Sequence, residues 1–262
     1  MSEAAVSLVT LQRLPGHVAL VTLNRPEARN AVNAGLAAAL EGVVDATEND
    51  DDIWAVVLAG AGRGVFCAGA DLKEVAAGQG AELFRPRGGF AGFVDAERSK
   101  PWIAAVNGKA LAGGFEIVLA CELVVATESG AFGLPEVTRG LIAAAGGLYR
   151  LPRALPRALA LELAMTGEPL TAERALAHGL VNRIVAEDRV VEEAVALARR
   201  ITHNAPLAVR ESLQIARRAC EIDGATARAL SKSARDRIAA TEDYREGPRA
   251  FVEKREPRWQ GR

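Results

Sequence analysis

Residues 100–122 read KPWIAAVNGKALAGGFEIVLACE, and the order of patterns within them decides the fold class. Residues 103–106 are a short apolar run of strand length. Gly113-Gly114 then leads into FEIVLACE, which reads as a helix, and residues 123–126 return to a strand pattern. The same alternation extends upstream. Residues 54–59 (WAVVLA) read as a short buried strand, residues 34–47 as an Ala- and Leu-rich helix, and residues 6–23 as two strands joined at Pro15-Gly16. Strands alternating with helices make the first part of the chain α/β.

Downstream the chain turns helical. Thr171 and Gly179 stand where an N-cap and a C-terminal glycine bound a short helix. Val190, Val191, Ala194, Val195, Ala198 and Ile201 form one apolar face. Ala205, Val209, Leu213, Ala216 and Cys220 form another, with Arg210, Glu211, Arg217 and Arg218 opposite as a solvated face. Residues 78–93, with five glycines and three of the seven phenylalanines, are irregular and read as a lid.

Half of the 262 residues are hydrophobic and a quarter charged, a globular composition. With 32 basic and 33 acidic residues no global field draws the chain to nucleic acid or to an anionic membrane, which leaves small-molecule chemistry. Cys67, Cys121 and Cys220 lie far apart and fit neither a disulfide framework nor a zinc site, so a reducing cytoplasm is expected and no metal. The opening MSEAAVSLVT lacks the pattern of a signal peptide, and no apolar run reaches membrane-helix length.

Three segments carry candidate chemistry. In LAGGFEIVLACE (111–122), two glycines precede a helix with Glu116 in its first turn. The first helical amides lack internal partners, so they can serve an oxyanion, and the helix dipole favours ionised Glu116. The same letters equally describe tight packing beside an ordinary helix-start acid. In VFCAGADLKE (65–74) the chain turns through Gly69, Ala70 offers a second amide, and Asp71 with Glu74 has the spacing of a capping box. In GAFGLPEVTRGL (130–141), Glu136 follows Pro135, a position usual for a turn or helix-start acid. Cys67 lies near the first turn with no base beside it, which favours a packed thiol.

Taken together, these segments resemble the crotonase superfamily of enoyl-CoA hydratases and isomerases. The resemblance spans nearly the whole chain: LNRPEARNAV (23–32), FCAGADLKE (66–74), KPWIAAVNGKALAGGFE (100–116), FGLPE (132–136), AAGGLYRLPR (144–153), MTGEPL (165–170), GLVNRIV (179–185) and AFVEKR (250–255). It implies a crotonase (ClpP-like) α/β spiral of repeated ββα units over residues 1–200, and a C-terminal helical oligomerisation region over 201–262. It also implies an oxyanion hole from the amides of Ala70 and Gly113, with Glu116 as base and Glu136 as acid. Two carboxylates are the mark of the hydratases in this family.

The implied ligand is an acyl-CoA, with CoA arriving as part of the substrate and no separate cofactor. The backbone of Ala68, Asp71, Leu72 and Lys73 is expected near the adenine and pantetheine, with Phe251 and Lys254 reaching a neighbouring subunit's site in a homotrimer or dimer of trimers. Arg25 and Arg139 are further cationic candidates, more in keeping with structural roles. Where relatives often carry P-G-A-G-G, this chain has Ala143-Ala144-Ala145-Gly146-Gly147, and the Ala144 amide is expected to help hold water. Glu122, where relatives commonly have Asp, is expected to be structural.

The tail EGPRAFVEKREPRWQGR and GGFAG (88–92) resemble crotonobetainyl-CoA hydratases (carnitinyl-CoA dehydratases). A quaternary ammonium would want Phe84, Phe90, Phe93, Glu82 and Asp95 around it, residues that equally suit a plain acyl tunnel. An enoyl-CoA isomerase on the same scaffold, an acyl-CoA-binding protein and an RNA-binding protein are the other readings. Near-neutral charge and the lack of an aromatic RNA-binding motif argue against the last.

Overall fold

The computed structural model describes residues 7–262, so the readings that fall on residues 1–6 lie outside the described residues. A hairpin, β1 (Val9–Leu14) and β2 (Val18–Leu23), leads into α1 (Ala34–Glu48). Next come β3 (Ala55–Gly60), β4 (Gly64–Cys67) and α2 (Leu72–Ala76), and a short hairpin, β5 (Phe84–Arg85) and β6 (Gly89–Phe90). A second such unit is β7 (Trp102–Val106), β8 (Gly108–Leu111) and α3 (Gly113–Leu119). A third begins with β9 (Leu123–Thr127) and β10 (Ala131–Gly133) and continues through a 3₁₀ turn, Pro135–Arg139, to α4 (Gly147–Ala154) and α5 (Arg157–Thr166). The chain ends with β11 (Leu170–Thr171), α6 (Ala172–Ala177), β12 (Arg183–Val185), α7 (Val190–Thr202), α8 (Pro206–Arg218), α9 (Gly224–Ala239) and α10 (Glu242–Glu253).

Each repeating unit places its first strand in one sheet and its second in another. The six-stranded sheet runs β1-β2-β3-β7-β9-β12, parallel from β2 onward, and the four-stranded sheet runs β11-β10-β8-β4, with β10, β8 and β4 parallel. The large sheet is covered on both faces, which is why WAVVLA is apolar without alternation. Val56, Leu58, Ala104 and Val106 face the main core with α1 and α3, while Ala55, Val57, Ile103 and Ala105 pack on Val190, Ala194, Val195 and Ala198 of α7. In the small sheet the carboxyl ends of β4, β8 and β10 lie together. The loops that follow them carry Ala70, Gly113 and Glu136, so the topology gathers three distant segments at one edge.

The expected helix after Gly113-Gly114 begins at Gly113 itself and ends at Leu119, and Thr171 caps α6 as its hydroxyl accepts from the Arg174 amide. The lid expectation is only half met. Leu83, Phe90, Ala91, Phe93 and Val94 are buried, while the stretch up to Glu82 and residues Phe84, Pro86 and Arg87 lie at the surface, because Phe93 packs edge-on against Trp102 and anchors the end of the segment. The solvated face expected on α8 is also corrected. Arg217 turns inward and gives Glu122 two hydrogen bonds of 3.0 and 2.6 Å, and it also reaches the carbonyls of Arg98 and Lys100. Glu122 in turn accepts from the Trp102 amide at 2.6 Å, the structural role read from sequence. Among the described residues no helix is long and apolar enough to cross a membrane.

Candidate active site

Strand β8 ends at Leu111, and Ala112 takes the left-handed side of φ, 53° with ψ −130°, a sparsely populated conformation for a residue with a side chain. Its amide donates to the Gly133 carbonyl at 2.8 Å, and its carbonyl accepts from Phe115 and Glu116, closing the first turn of α3. The Gly113 amide is thereby turned out of the helix. From the other side, Gly69 (φ 89°) packs so closely that a methyl group on it would stand 2.9 Å from the Gly113 nitrogen. The Ala70 and Gly113 amides are therefore neighbours, and among the described residues neither has a backbone partner. Gly113 also abuts Phe90, whose ring would lie 2.4 Å from a methyl group at that position.

Glu116 projects from this first turn and is 97 % removed from solvent, at 3 % exposure. Its Oε1 accepts from the Gly147 amide at 2.8 Å. Burial pushes its carboxyl up to about 7; the Gly147 amide opposes this, the Glu136 charge adds to it, and the Ala145 amide and Arg150 oppose it. The expectation that the helix dipole would favour the ionised form is thus reversed, since desolvation outweighs it. Glu136, in the 3₁₀ turn, is raised as well, chiefly by burial, with its own amide and Arg139 opposing. Its Oε2 is buried without a protein partner. Two carboxylates raised by burial, with the charge of Glu136 acting on Glu116, can share a proton between them.

The loop that carries Gly147 differs from expectation. The Ala144 amide, expected to hold water, donates to the Ile142 carbonyl at 2.9 Å within a tight turn, so it is spoken for. Gly146 (φ 103°) is the N-cap of α4, and Arg150 folds back over it: a methyl group at Gly146 would meet the guanidinium at 1.9 Å. Arg150 donates to the carbonyls of Ala145 (3.2 Å) and Val94 (2.6 Å) and pairs with Asp95 at 3.3 Å, where Tyr149 donates as well at 3.4 Å.

The remaining candidates divide. Asp71 is fully engaged: Arg25 donates to one oxygen at 2.7 Å and the Lys73 amide to the other at 3.1 Å, and the Arg25 hydrogen bond holds its carboxyl below the usual range. The capping box is not formed, because the Asp71 amide donates to Val32 and Glu74 instead accepts from the Ala34 amide at the start of α1. Ala68 is half-buried, and Leu72 and Lys73 are exposed beside the Ala70 turn. Phe251 and Lys254 lie exposed at the end of α10, away from this loop cluster in sequence and structure element. Arg139 stays at the surface and reaches only its own turn. Cys67 is a buried thiol, pushed up to about 12 by burial, donating to the Asn30 carbonyl.

Of the residues imagined around a quaternary ammonium, Phe90 and Phe93 belong to the core and Asp95 is tied to Arg150, leaving Phe84 and Glu82. Sequence reasoning assigned no role to Arg150 or to Phe90's contact with Gly113. The signal for the first was in the quoted AAGGLYRLPR, where Arg150 stands one helical turn after Gly146.

Residues 13–262 match the family profile described as enoyl-CoA hydratase/isomerase. The chain is 41% identical over 250 residues to the mevalonyl-coenzyme A hydratase of Aspergillus fumigatus, covering 93% of this chain and 91% of that protein. A crystal structure of enoyl-CoA hydratase from Mycobacterium tuberculosis superposes with a TM-score of 0.93 at 41% identity, covering 98% of this chain and 100% of that one. One of carnitinyl-CoA hydratase from Mycobacterium avium is 47% identical, with a TM-score of 0.74 and coverage of 98% and 99%.

Proposed function

The chain belongs to the enoyl-CoA hydratase/isomerase family, and on that premise we propose that it adds water syn across the double bond of a 2-enoyl-CoA to give a 3-hydroxyacyl-CoA. The observation that carries this reading is the coupled pair Glu116 and Glu136, both raised in pKa by burial, beside two outward-turned amides. Water addition needs a base for the water and an acid for the α-carbon at the same time. A coupled pair holding one proton offers both.

In this reading the thioester oxygen accepts from the Ala70 and Gly113 amides. One ionised carboxylate, Glu116, takes a proton from water as the hydroxyl bonds to C3. The π electrons move onto the thioester as an enolate, and Glu136 delivers its proton to C2. Fixed donors of this kind are worth about 100- to 1000-fold each. The backbone of Ala68, Leu72 and Lys73 would flank CoA, while Phe251 and Lys254 would serve a neighbouring copy. Of the aromatic residues expected for an acyl group bearing a quaternary ammonium, suggested by the carnitinyl-CoA hydratase likeness, Phe90 abuts Gly113, Phe84 is exposed and Phe93 is packed on Trp102. With Asp95 held by Arg150, exposed Glu82 is the carboxylate of that set left for a cation, and the reading favours an uncharged acyl group.

Glu116→Gln and Glu136→Gln keep shape and hydrogen bonding and remove proton transfer. Each is expected to lower kcat for crotonyl-CoA by at least about 100-fold with little change in CoA-ester binding. The double variant should resemble the worse single one, because both act on one step. Near-wild-type hydration by Glu116→Gln across crotonyl-, decenoyl-, branched enoyl- and crotonobetainyl-CoA would overturn the base assignment. If neither glutamate mattered in folded, CoA-binding protein, the hydratase reading would fall to an isomerase or a binding role.

A further inference from the structure

Glu116 is buried, which opposes charge on it, and the base role asks that it carry that charge. Something in the chain must favour charge on Glu116, and the groups that face it can be named. Helix α3 packs against α4, β8 and β4. From β4 comes Cys67, a neutral buried thiol; from β8, Lys109, exposed to solvent. The 3₁₀ turn brings Glu136, with Arg139 acting on Glu136 rather than on Glu116. Helix α4 brings Tyr149, Arg153 and Arg150; Arg153 is turned to Glu221. Arg150 is the cation whose charge stands out as lowering Glu116.

We propose, on the hydratase reading above, that Arg150 is a positioning residue for Glu116: one guanidinium clamps the Ala145 and Val94 carbonyls, aligns the 145–147 backbone on the Glu116 carboxylate, and lays its positive charge near that carboxylate. The geometry supports each part. Arg150 holds the carbonyl of Ala145, whose own amide, like that of Gly147, favours ionised Glu116. Gly146 has no side chain and a left-handed backbone, which is what lets Arg150 reach back across it. Asp95 is the counterweight. It pairs with the same guanidinium from the exposed end, so it offsets part of the charge felt at Glu116. Tyr149 shares Asp95 and is raised by burial, hence neutral at working pH.

Two substitutions move the pair in opposite directions, and the readout is the pH dependence of kcat/KM for crotonyl-CoA. Arg150→Met removes a cation, so ionisation becomes harder and both limbs of the bell should move up by about half a unit to one unit. Its maximum should fall, because less of the one-proton pair carries its charge on Glu116. Arg150→Lys should bring the limbs back toward the wild-type position. Asp95→Asn, at an exposed residue, leaves Arg150 uncompensated and should move the limbs down. Asp95→Asn also keeps the test informative if Arg150→Met does not fold. Limbs that stay in place in Asp95→Asn and in every folded Arg150 variant, whatever the loss of rate, would overturn the inference and leave Arg150 a packing residue. Glu116→Gln run alongside separates the two claims: full activity there sinks the base assignment, whereas loss there with unmoved limbs sinks only the role of Arg150.

Discussion

A methyl group added at Gly114 would lie 2.2 Å from the carbonyl oxygen of Cys67, whereas one at Gly113 would meet the ring of Phe90 first, at 2.4 Å. The two adjacent glycines therefore do different things. Gly114 exists so that α3 can lie against β4; Gly113 places an outward amide beside an aromatic wall. Gly114→Ala is expected to lower stability by about 1–3 kcal/mol through overpacking against backbone, with activity falling only as the folded fraction does. Gly113→Ala should cost less stability, because a side chain can yield, and more activity, because Phe90 is pushed from its place beside the oxyanion donor. Chemical denaturation and kcat/KM on the same samples check this, with Phe90→Leu expected to restore stability to Gly113→Ala. Equal effects on both measurements would show the two glycines to be equivalent. The sequence offered packing and oxyanion donation as rival readings of this pair, and the structure assigns the packing reading to Gly114. Periodicity cannot make that division, because it depends on which neighbour faces each Cα.

At the scale of elements, α8 shows where reading by pattern stops. Its apolar positions have helical spacing, yet Pro206 alone is buried, and the contact that fastens it to the sheets is polar: Arg217 on Glu122, which also holds the start of β7 through the Trp102 amide. Arg217→Met leaves a partly buried carboxylate with one partner fewer and is expected to cost about 2–3 kcal/mol, measured by urea unfolding. Arg218→Met, on an exposed neighbour, should change little. If the two variants were equally stable, the pair would not be the tether. The strands β1, β2, β3, β7 and β9, with α1 and α7, were legible because their buried faces are written in apolar runs and periodicity, and α6 because Thr171 and Gly179 mark its ends. The inward turn of Arg217, the reach of Glu74 to α1 and the anchoring of residues 90–94 were not, because each depends on a partner at least 40 residues away or on burial of a glycine-rich segment. Likewise Glu116 and Glu136 were placed by family resemblance, but their raised pKa follows from burial that only the fold reveals.

Over the whole molecule, two sets stand out among the apolar side chains left at the surface. Phe251 and Val252 at the end of α10 are 85% and 79% exposed. Val137, Leu141, Ile142 and Met165 stand out around the 3₁₀ turn and α5. Helices α8 to α10 bury few side chains against the rest of the chain, so their packing is incomplete in isolation. Large exposed apolar patches mark association surfaces, and a second copy of this chain is the occupant expected here, in a trimer or a dimer of trimers. Sedimentation velocity at micromolar concentration should then show species of three or six chains. Replacing Phe251 and Val252 together by Ser should shift the distribution toward monomer. If Phe251 and Lys254 also serve a neighbour's CoA, removing residues 245–262 should weaken CoA-ester binding as well as assembly. The coupling of the two losses is the informative part, since a site complete within one chain would keep its affinity as the assembly dissociates. A stable monomer of the full chain with undiminished turnover would overturn the assembly and, with it, the role of Phe251 and Lys254 at another copy's site.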